Sequence, residues 1–412
     1  MANIPRLTAG SNAEQVEWCE ELITKILSRV STRDVLKMCT VVQRWRTMIF
    51  DPSFAYTHYK NSHPESMFFF HEYKPVRGTM RETFQFRSYN PKTGNLSIVP
   101  FSWEGLDSSF LNTKLKLVSA SNGLMCFFCP HEHRDFRVFS VYNPVTKILR
   151  KLSVPIEVDV FIGTFVGICY THNTGKLVMA CFSVDEEQAY ILVFDFQTNS
   201  WHKGPPLLRS IALFLGDPLF LNGVIYFIAI AESIDAEELK EIRDVEALYI
   251  DDQDFLYMII GYDVNQDQLS FSIFIPASVG YPHCLIEWEG NLLVCSSNST
   301  HKENPFVLAA SSSHLYRWDE GDGHYVLWVL DTKHKLWTQE RELDLSQEFH
   351  TSWLVKVSAS GGVVWFTCGY NAVTVYHMEK RHLSTHRLDD ALALRQRKNI
   401  ECLSFEPTLL SF

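Results

Sequence analysis

The chain has 412 residues, of which 46% are hydrophobic, 13% aromatic and 21% charged, and it carries a net charge of −11. That apolar content excludes disorder over most of the length, and the acidic balance excludes a general affinity for nucleic acid or an anionic membrane. Ten cysteines without framework spacing and an N-terminus, Met1-Ala-Asn-Ile-Pro-Arg6, without an export pattern point to a reduced chain in the nucleus or cytoplasm.

Residues 1–13 read as a tail and residues 14–60 as a helical module. Ser11-Asn-Ala-Glu14 has the form of a capping box. Trp18, Leu22, Ile23, Ile26, Leu27 and Val30 then recur at three- and four-residue steps, the signature of one apolar helix face. Ser31-Thr-Arg-Asp34 is a second start signal, and Val35, Leu36, Cys39, Val42 and Trp45 continue the stripe. Asp51-Pro52 closes the unit before a short aromatic helix over Ser53 to Tyr59. A module this small holds more apolar surface than its own core hides, which predicts a partner on the remaining face.

Three pieces of this module, Glu21 to Val30, Arg33-Asp-Val-Leu36 and Val41-Val-Gln-Arg-Trp-Arg46, resemble the F-box. The resemblance covers about forty positions and three helices, although Trp18-Cys19 stands where the family has Leu-Pro and Val42-Gln43 where it has Cys-Lys. It implies docking on a Skp-type adaptor and, through it, on a cullin scaffold. The adaptor-binding residues it implies are Trp18, Leu22, Ile23, Ile26, Leu27, Val30, Leu36, Val41 and Trp45.

Residues 61–66 read as a linker, and from Met67 short β-rich runs alternate with turn dipeptides. Phe86-Arg-Ser-Tyr89-Asn-Pro resembles Phe139-Ser-Val-Tyr142-Asn-Pro, and the unit returns around Asp195, Asp263, Asp331 and His377. Counted from Tyr89 and Tyr142 onward, the steps are 53, 53, 68, 68 and 46 residues. Kelch-type blades run to about 50 residues, so the long steps predict insertions. A second signal, at Asn122-Gly123, Asn222-Gly223, Gly290 and Gly361-Gly362, is expected to supply the backbone freedom of a blade crossover.

Six units predict a mainly β fold, a six-bladed kelch-like β-propeller over residues 67–412 behind a three-helix F-box. The first unit, Met67 to Phe101, lacks an innermost strand, and Ile400-Glu-Cys-Leu-Ser-Phe405 is an apolar run able to supply it and close the ring. The run Ile211 to Ala231 is apolar enough to mimic a membrane span. Its Gly216-Asp-Pro218 and Asn222-Gly223 turn signals make it two buried strands. The whole order resembles the plant family of F-box/kelch proteins, relatives of Unusual Floral Organs. Tyr142-Asn-Pro-Val-Thr-Lys147 and Phe405-Glu-Pro-Thr-Leu409 are its most family-like pieces.

Other chemistry finds little support in the residues. Cys126-Phe-Phe-Cys129-Pro-His131-Glu-His133 suggests zinc, but strand alternation points Cys126 and Cys129 to opposite faces, so no metal is expected. No nucleophile elbow, phosphate loop or copper-oxidase tyrosine/histidine set is present, so neither catalysis, a cofactor nor a small-molecule substrate is expected. Glu232 to Asp254, with ten acidic and two basic residues, and Ser296 to Gly323 read as inserted loops and candidate contact sites for a protein client. The resemblance implies the substrate-recognition subunit of an SCF-type ubiquitin ligase, which raises the effective concentration of a client without bond chemistry of its own. The rival is a kelch-type interaction scaffold that has lost adaptor binding.

Overall fold

A computed structural model describes residues 20–40, 42–61, 67–76, 79–90, 95–99, 116–121, 123–130, 137–154, 165–171, 174–183, 188–232, 255–297, 324–346, 355–360, 362–368, 372–387, 401–405 and 409. Four short helices come first: α1 (Glu20–Leu27), α2 (Thr32–Met38), α3 (Gln43–Ile49) and α4 (Pro52–Asn61). The starts of α2 and α4 follow from capping chemistry. The Ser31 hydroxyl accepts from the Asp34 amide at 3.3 Å and donates to the Asp34 carboxylate at 2.9 Å, which fixes the first turn of α2. The Asp51 carboxylate accepts from the Ser53 amide at 2.8 Å, and Pro52 takes the first position of α4, where no amide is needed.

The rest is β. The strands run β1 (Met67–Val76), β2 (Thr79–Asn90) and β3 (Asn95–Val99), then β4 (Lys116–Ser121), β5 (Leu124–Pro130), β6 (Arg137–Asn143) and β7 (Ile148–Ser153). They continue as β8 (Phe165–Thr171), β9 (Thr174–Ser183), β10 (Gln188–Asp195) and β11 (Ser200–Pro206), then β12 (Ile211–Leu221), β13 (Val224–Glu232), β14 (Phe255–Asp263) and β15 (Gln268–Phe274). The last are β16 (Tyr281–Trp288), β17 (Asn291–Ser297), β18 (His324–Asp331), β19 (Leu336–Asp344), β20 (Val355–Ser360), β21 (Val363–Cys368), β22 (Ala372–His377), β23 (His382–Arg387) and β24 (Glu401–Phe405).

These strands form six four-stranded sheets. Five are simple meanders of consecutive strands, and the sixth has the order β24-β1-β2-β3. Every neighbouring pair is antiparallel. The first strands β4, β8, β12, β16 and β20 lie side by side in that order, and β24 stands between β20 and β4. The fold is a β-propeller. The closing strand pairs with β1 from Met67↔Phe405 to His71↔Glu401, so the innermost place of the first sheet is filled from the far end of the sequence.

The core lies between successive sheets. Val141 and Leu152 pack with Ile168 and Met179, Ile191 and Val193 with Phe227 and Ile260, and Leu293 and Leu327 with Val364 and Phe366. Polar clamps join sheets near their edges. The Arg150 guanidinium donates to the Phe196 carbonyl at 3.3 Å and to Asn199 Oδ1 at 2.8 Å, and Lys176 Nζ donates to the Val264 carbonyl at 2.8 Å. The stretch Ile211 to Ala231 is indeed strand, turn, strand, with the register of β12 against β13 shifting between Leu215 and Leu219.

Two features of the repeat differ from the sequence reading. First, the equivalent of Asp195, Asp263, Asp331 and His377 in the second sheet is Asn143, one residue beyond Tyr142. Asn143 Oδ1 accepts from the Val145 and Thr146 amides at 2.8 and 3.1 Å. Asp195, Asp263 and Asp331 bind the second and third amides after themselves in the same way. Four residues on, Lys147, Asn199, Asp267, Lys335 and Arg381 are all left-handed, with φ between 51° and 61°. Counted on this anchor, the later steps become 52, 68, 68 and 46 residues. The recurring aromatic drew the alignment to Tyr142, but the side-chain acceptor that nucleates the turn sets the register.

Second, the glycine signals are hairpin turns rather than crossovers. Asn222-Gly223 and Glu289-Gly290 are two-residue loops with positive φ at both positions, the geometry that matches the twist of the flanking strands. They join first to second strands. In an antiparallel meander those turns share one end with the third-to-fourth-strand turns, and hydrogen bonds join the two kinds: the Phe196, Val264 and Met378 amides donate to the carbonyls of Gly175, Gly223 and Gly362. This end is the short-turn face. The insertions Glu232 to Asp254 and Ser296 to Gly323 lie outside the described residues except for their strand ends. Those ends, Glu232 paired with Phe255 and Ser297 paired with Tyr325, are at the opposite face.

Candidate functional site

α1 is a two-sided helix. Ile23 and Leu27, one turn apart, face inward and join Val35, Ile49, Phe54 and Ala55 in a small core, with Val30, Leu36, Trp45 and Met48 packed against it. Leu22 and Ile26, also one turn apart, are 47% and 48% exposed. Glu21, Lys25 and Arg29 are exposed on the same helix and the turn after it. Two leucine/isoleucine pairs offset by one residue thus serve two surfaces, one internal and one open.

α3 lies alongside α1. Arg44 holds the Glu20 carboxylate through Nη2 at 2.7 Å, and the Thr24 hydroxyl points at Met48 Sδ at 3.5 Å. Both pairs are 24 residues apart, so the two helices run in the same direction with one constant offset. Phe50, which caps the C-terminal end of α3, is 47% exposed. Leu22, Ile26 and Phe50 are half of the large hydrophobic side chains found exposed among the described residues, and all three belong to this small module.

Beneath them the module is tied together by α4. His58 is buried; its Nε2 lies 2.8 Å from the Val30 carbonyl, and its ring meets Phe54 at 5.9 Å between centroids. Burial pulls the His58 imidazole below its ordinary value, and the carbonyl bond opposes this only in part. The Asp51 carboxyl is held below the usual range by the Ser53 hydroxyl and amide, while burial pushes the Cys39 thiol up.

Of the residues expected to meet an adaptor, the structure therefore turns Leu22 and Ile26 outward and Ile23 and Leu27 inward. Val30, Leu36 and Trp45 are partly buried around the core, and Trp18 and Val41 lie outside the described residues. In a run with apolar residues at both members of each pair, spacing alone does not say which stripe faces the core. Phe50 escaped the sequence reading because it stands just past the last turn of α3.

Cys126 is buried in β5, the Cys129 side chain and His131 and His133 lie outside the description, and among the described residues no group of three or more His, Cys, Asp or Glu side chains is placed to hold a metal. Burial pushes the Cys126 and Cys181 thiols far up, and that of Cys169 to about 12, which leaves these sulfurs poor nucleophiles. Among the described residues no helix is long and apolar enough to cross a membrane.

No family model matches the chain, and no curated protein matches it. Solved structures do. The orthorhombic form of the acylaminoacyl peptidase from Pyrococcus horikoshii is 9% identical with a TM-score of 0.38, over 71% of this chain and 42% of that one. The β-propeller domain of the Trilobed protease from Pyrococcus furiosus is 10% identical with a TM-score of 0.39, over 78% of this chain and 82% of that one. The Dos1 propeller is 10% identical with a TM-score of 0.35, over 75% and 68%. The chain spans about two fifths of the length of the acylaminoacyl peptidases it matches.

Proposed function

We propose that this chain is the substrate-recognition subunit of an SCF-type ubiquitin ligase, working in the nucleus or cytoplasm. In this reading α1 to α3 are the core of an F-box, and the six sheets are the blades of a kelch-like propeller that holds a protein client. The helices dock on a Skp-type adaptor and through it on a cullin scaffold. The receptor makes and breaks no bond; it raises the local concentration of a client lysine beside the charged conjugating enzyme, which converts a rare encounter into a near-intramolecular one.

One observation carries the proposal. Leu22 and Ile26 remain about half exposed although the same helix has a complete inward row in Ile23 and Leu27. An exposed isolated leucine is ordinary, but two large apolar side chains one turn apart on one stripe form an apolar strip that a partner helix fits. The test is co-purification of the full chain with a Skp-type adaptor. Leu22→Asp combined with Ile26→Asp is expected to abolish the association while the chain stays folded. Retention of the adaptor by that variant would remove the F-box reading.

A further inference from the structure

The core of the helical module is not closed by helices alone. Val145 and Leu409 pack into it beside Ile23, Leu27, Val35, Ile49, Phe54 and Ala55, and Leu409 is 2% exposed. Val145 belongs to the turn between β6 and β7, where the buried Asn143 side chain pins its amide at 2.8 Å. Leu409 stands four residues beyond the end of β24.

Topology brings these pieces together. As the first strand of its sheet, β24 runs toward the short-turn face and ends there at Phe405. The pairing Met67↔Phe405 sets the entry of the chain into the ring beside that exit. The β6–β7 turn opens on the same face. β1 begins on this side, and Val145 of the pinned turn and Leu409 both pack there with the helical core.

We infer that β24 and Leu409 act together as a strap: β24 completes the ring, and Leu409 locks the helical module onto the short-turn face against Val145. Ring closure and helix seating depend on one stretch of backbone. The helices therefore keep a single attitude to the ring, a consequence that matters for ligase geometry only if the proposed function holds. The strap itself does not rest on that reading, because its test needs no partner.

The experiment is hydrogen exchange on the full chain carrying Leu409→Asp, Val145→Asp or the milder Leu409→Ala. Protection of the amides in α1 to α4 is expected to drop at least about tenfold in each variant, while β5, β9 and β13 keep theirs. Unchanged helical protection in the Leu409 variants would overturn the inference. An equal loss in helices and ring would overturn it as well, since Leu409 would then be a general stability determinant. Should Leu409→Asp fail to fold, Leu409→Ala decides on the same criteria.

Discussion

The two stripes of α1 make a quantitative prediction. Ile23 and Leu27 are 9% and 3% exposed, so truncating either to alanine deletes methyl groups from a closed core, at a cost of about 2–5 kcal/mol. Leu22 and Ile26 are about half exposed, and truncating them should change folding stability by no more than about 0.5 kcal/mol. Adaptor binding should show the reverse order. Complete burial of such a side chain is worth roughly 1.5–3 kcal/mol, and about half of that remains to be gained on docking, so each contributes roughly 0.7–1.5 kcal/mol. The double variant Leu22→Ala/Ile26→Ala should weaken the adaptor complex by roughly ten- to a hundredfold. Titration calorimetry against a Skp-type adaptor measures this, and helix hydrogen exchange on the same samples reports the folding term. The reasoning fails if the double variant binds with unchanged affinity, or if it loosens the module as much as Leu27→Ala does.

Two further predictions concern the ring and the helices separately. Gly362 and Gly290 both sit at strongly positive φ, 74° and 77°, but a Cβ on Gly362 would run into the Trp288 ring while one on Gly290 would meet nothing within 4 Å. Gly290→Ala should therefore cost only the left-handed penalty of about 1–2 kcal/mol, and Gly362→Ala roughly 1–3 kcal/mol more; denaturant titrations with equal midpoints would contradict this. For His58 the sign follows from the lowered folded-state value. As pH falls through the ordinary 6.5, the unfolded chain binds the proton first, so the module loses stability below that point and none above it. Compared with His58→Gln, the native chain should show the steeper acid-side decline in helix protection, and parallel profiles would refute the assignment.

Much of this architecture was legible because the repeat is written in turns. An asparagine or aspartate, three turn residues and a left-handed position recur with little else in common, and each occurrence fixes the end of a third strand. The closing strand was legible by elimination, since the first unit held one strand too few and Ile400 to Phe405 is an apolar run of the right length for the vacancy. The exact register was not, because Tyr142 is a more conspicuous residue than Asn143. The glycine pairs were read as crossovers for a related reason: the need for positive φ is visible in a sequence, but whether the two flanking runs pair with each other is not. Sequence fixes that a helix has apolar stripes; the choice between Leu22/Ile26 and Ile23/Leu27 for the core depends on where α3 and α4 lie.

The seating of the helices shows why some functional geometry leaves no local pattern at all. Val145 sits in a turn and Leu409 in a short apolar tail, and neither follows a helical or strand period, so no periodicity links them to Ile49 or Phe54. What links them is that antiparallel pairing collects every third-to-fourth-strand turn, the end of β24 and the start of β1 on one face of the ring. An apolar residue in such a turn is an anomaly in a position that otherwise holds Gln197, Asn265 and Lys333 in the neighbouring sheets. The anomaly is explained once the helices are set over it: Val145 is partly buried against the helical core, which valine extends and a polar residue would not. The departure from the repeat therefore marks the blade on which the helices rest, and by exclusion leaves the opposite face, where the two long insertions join their strands, as the side of the ring not taken up by the helices.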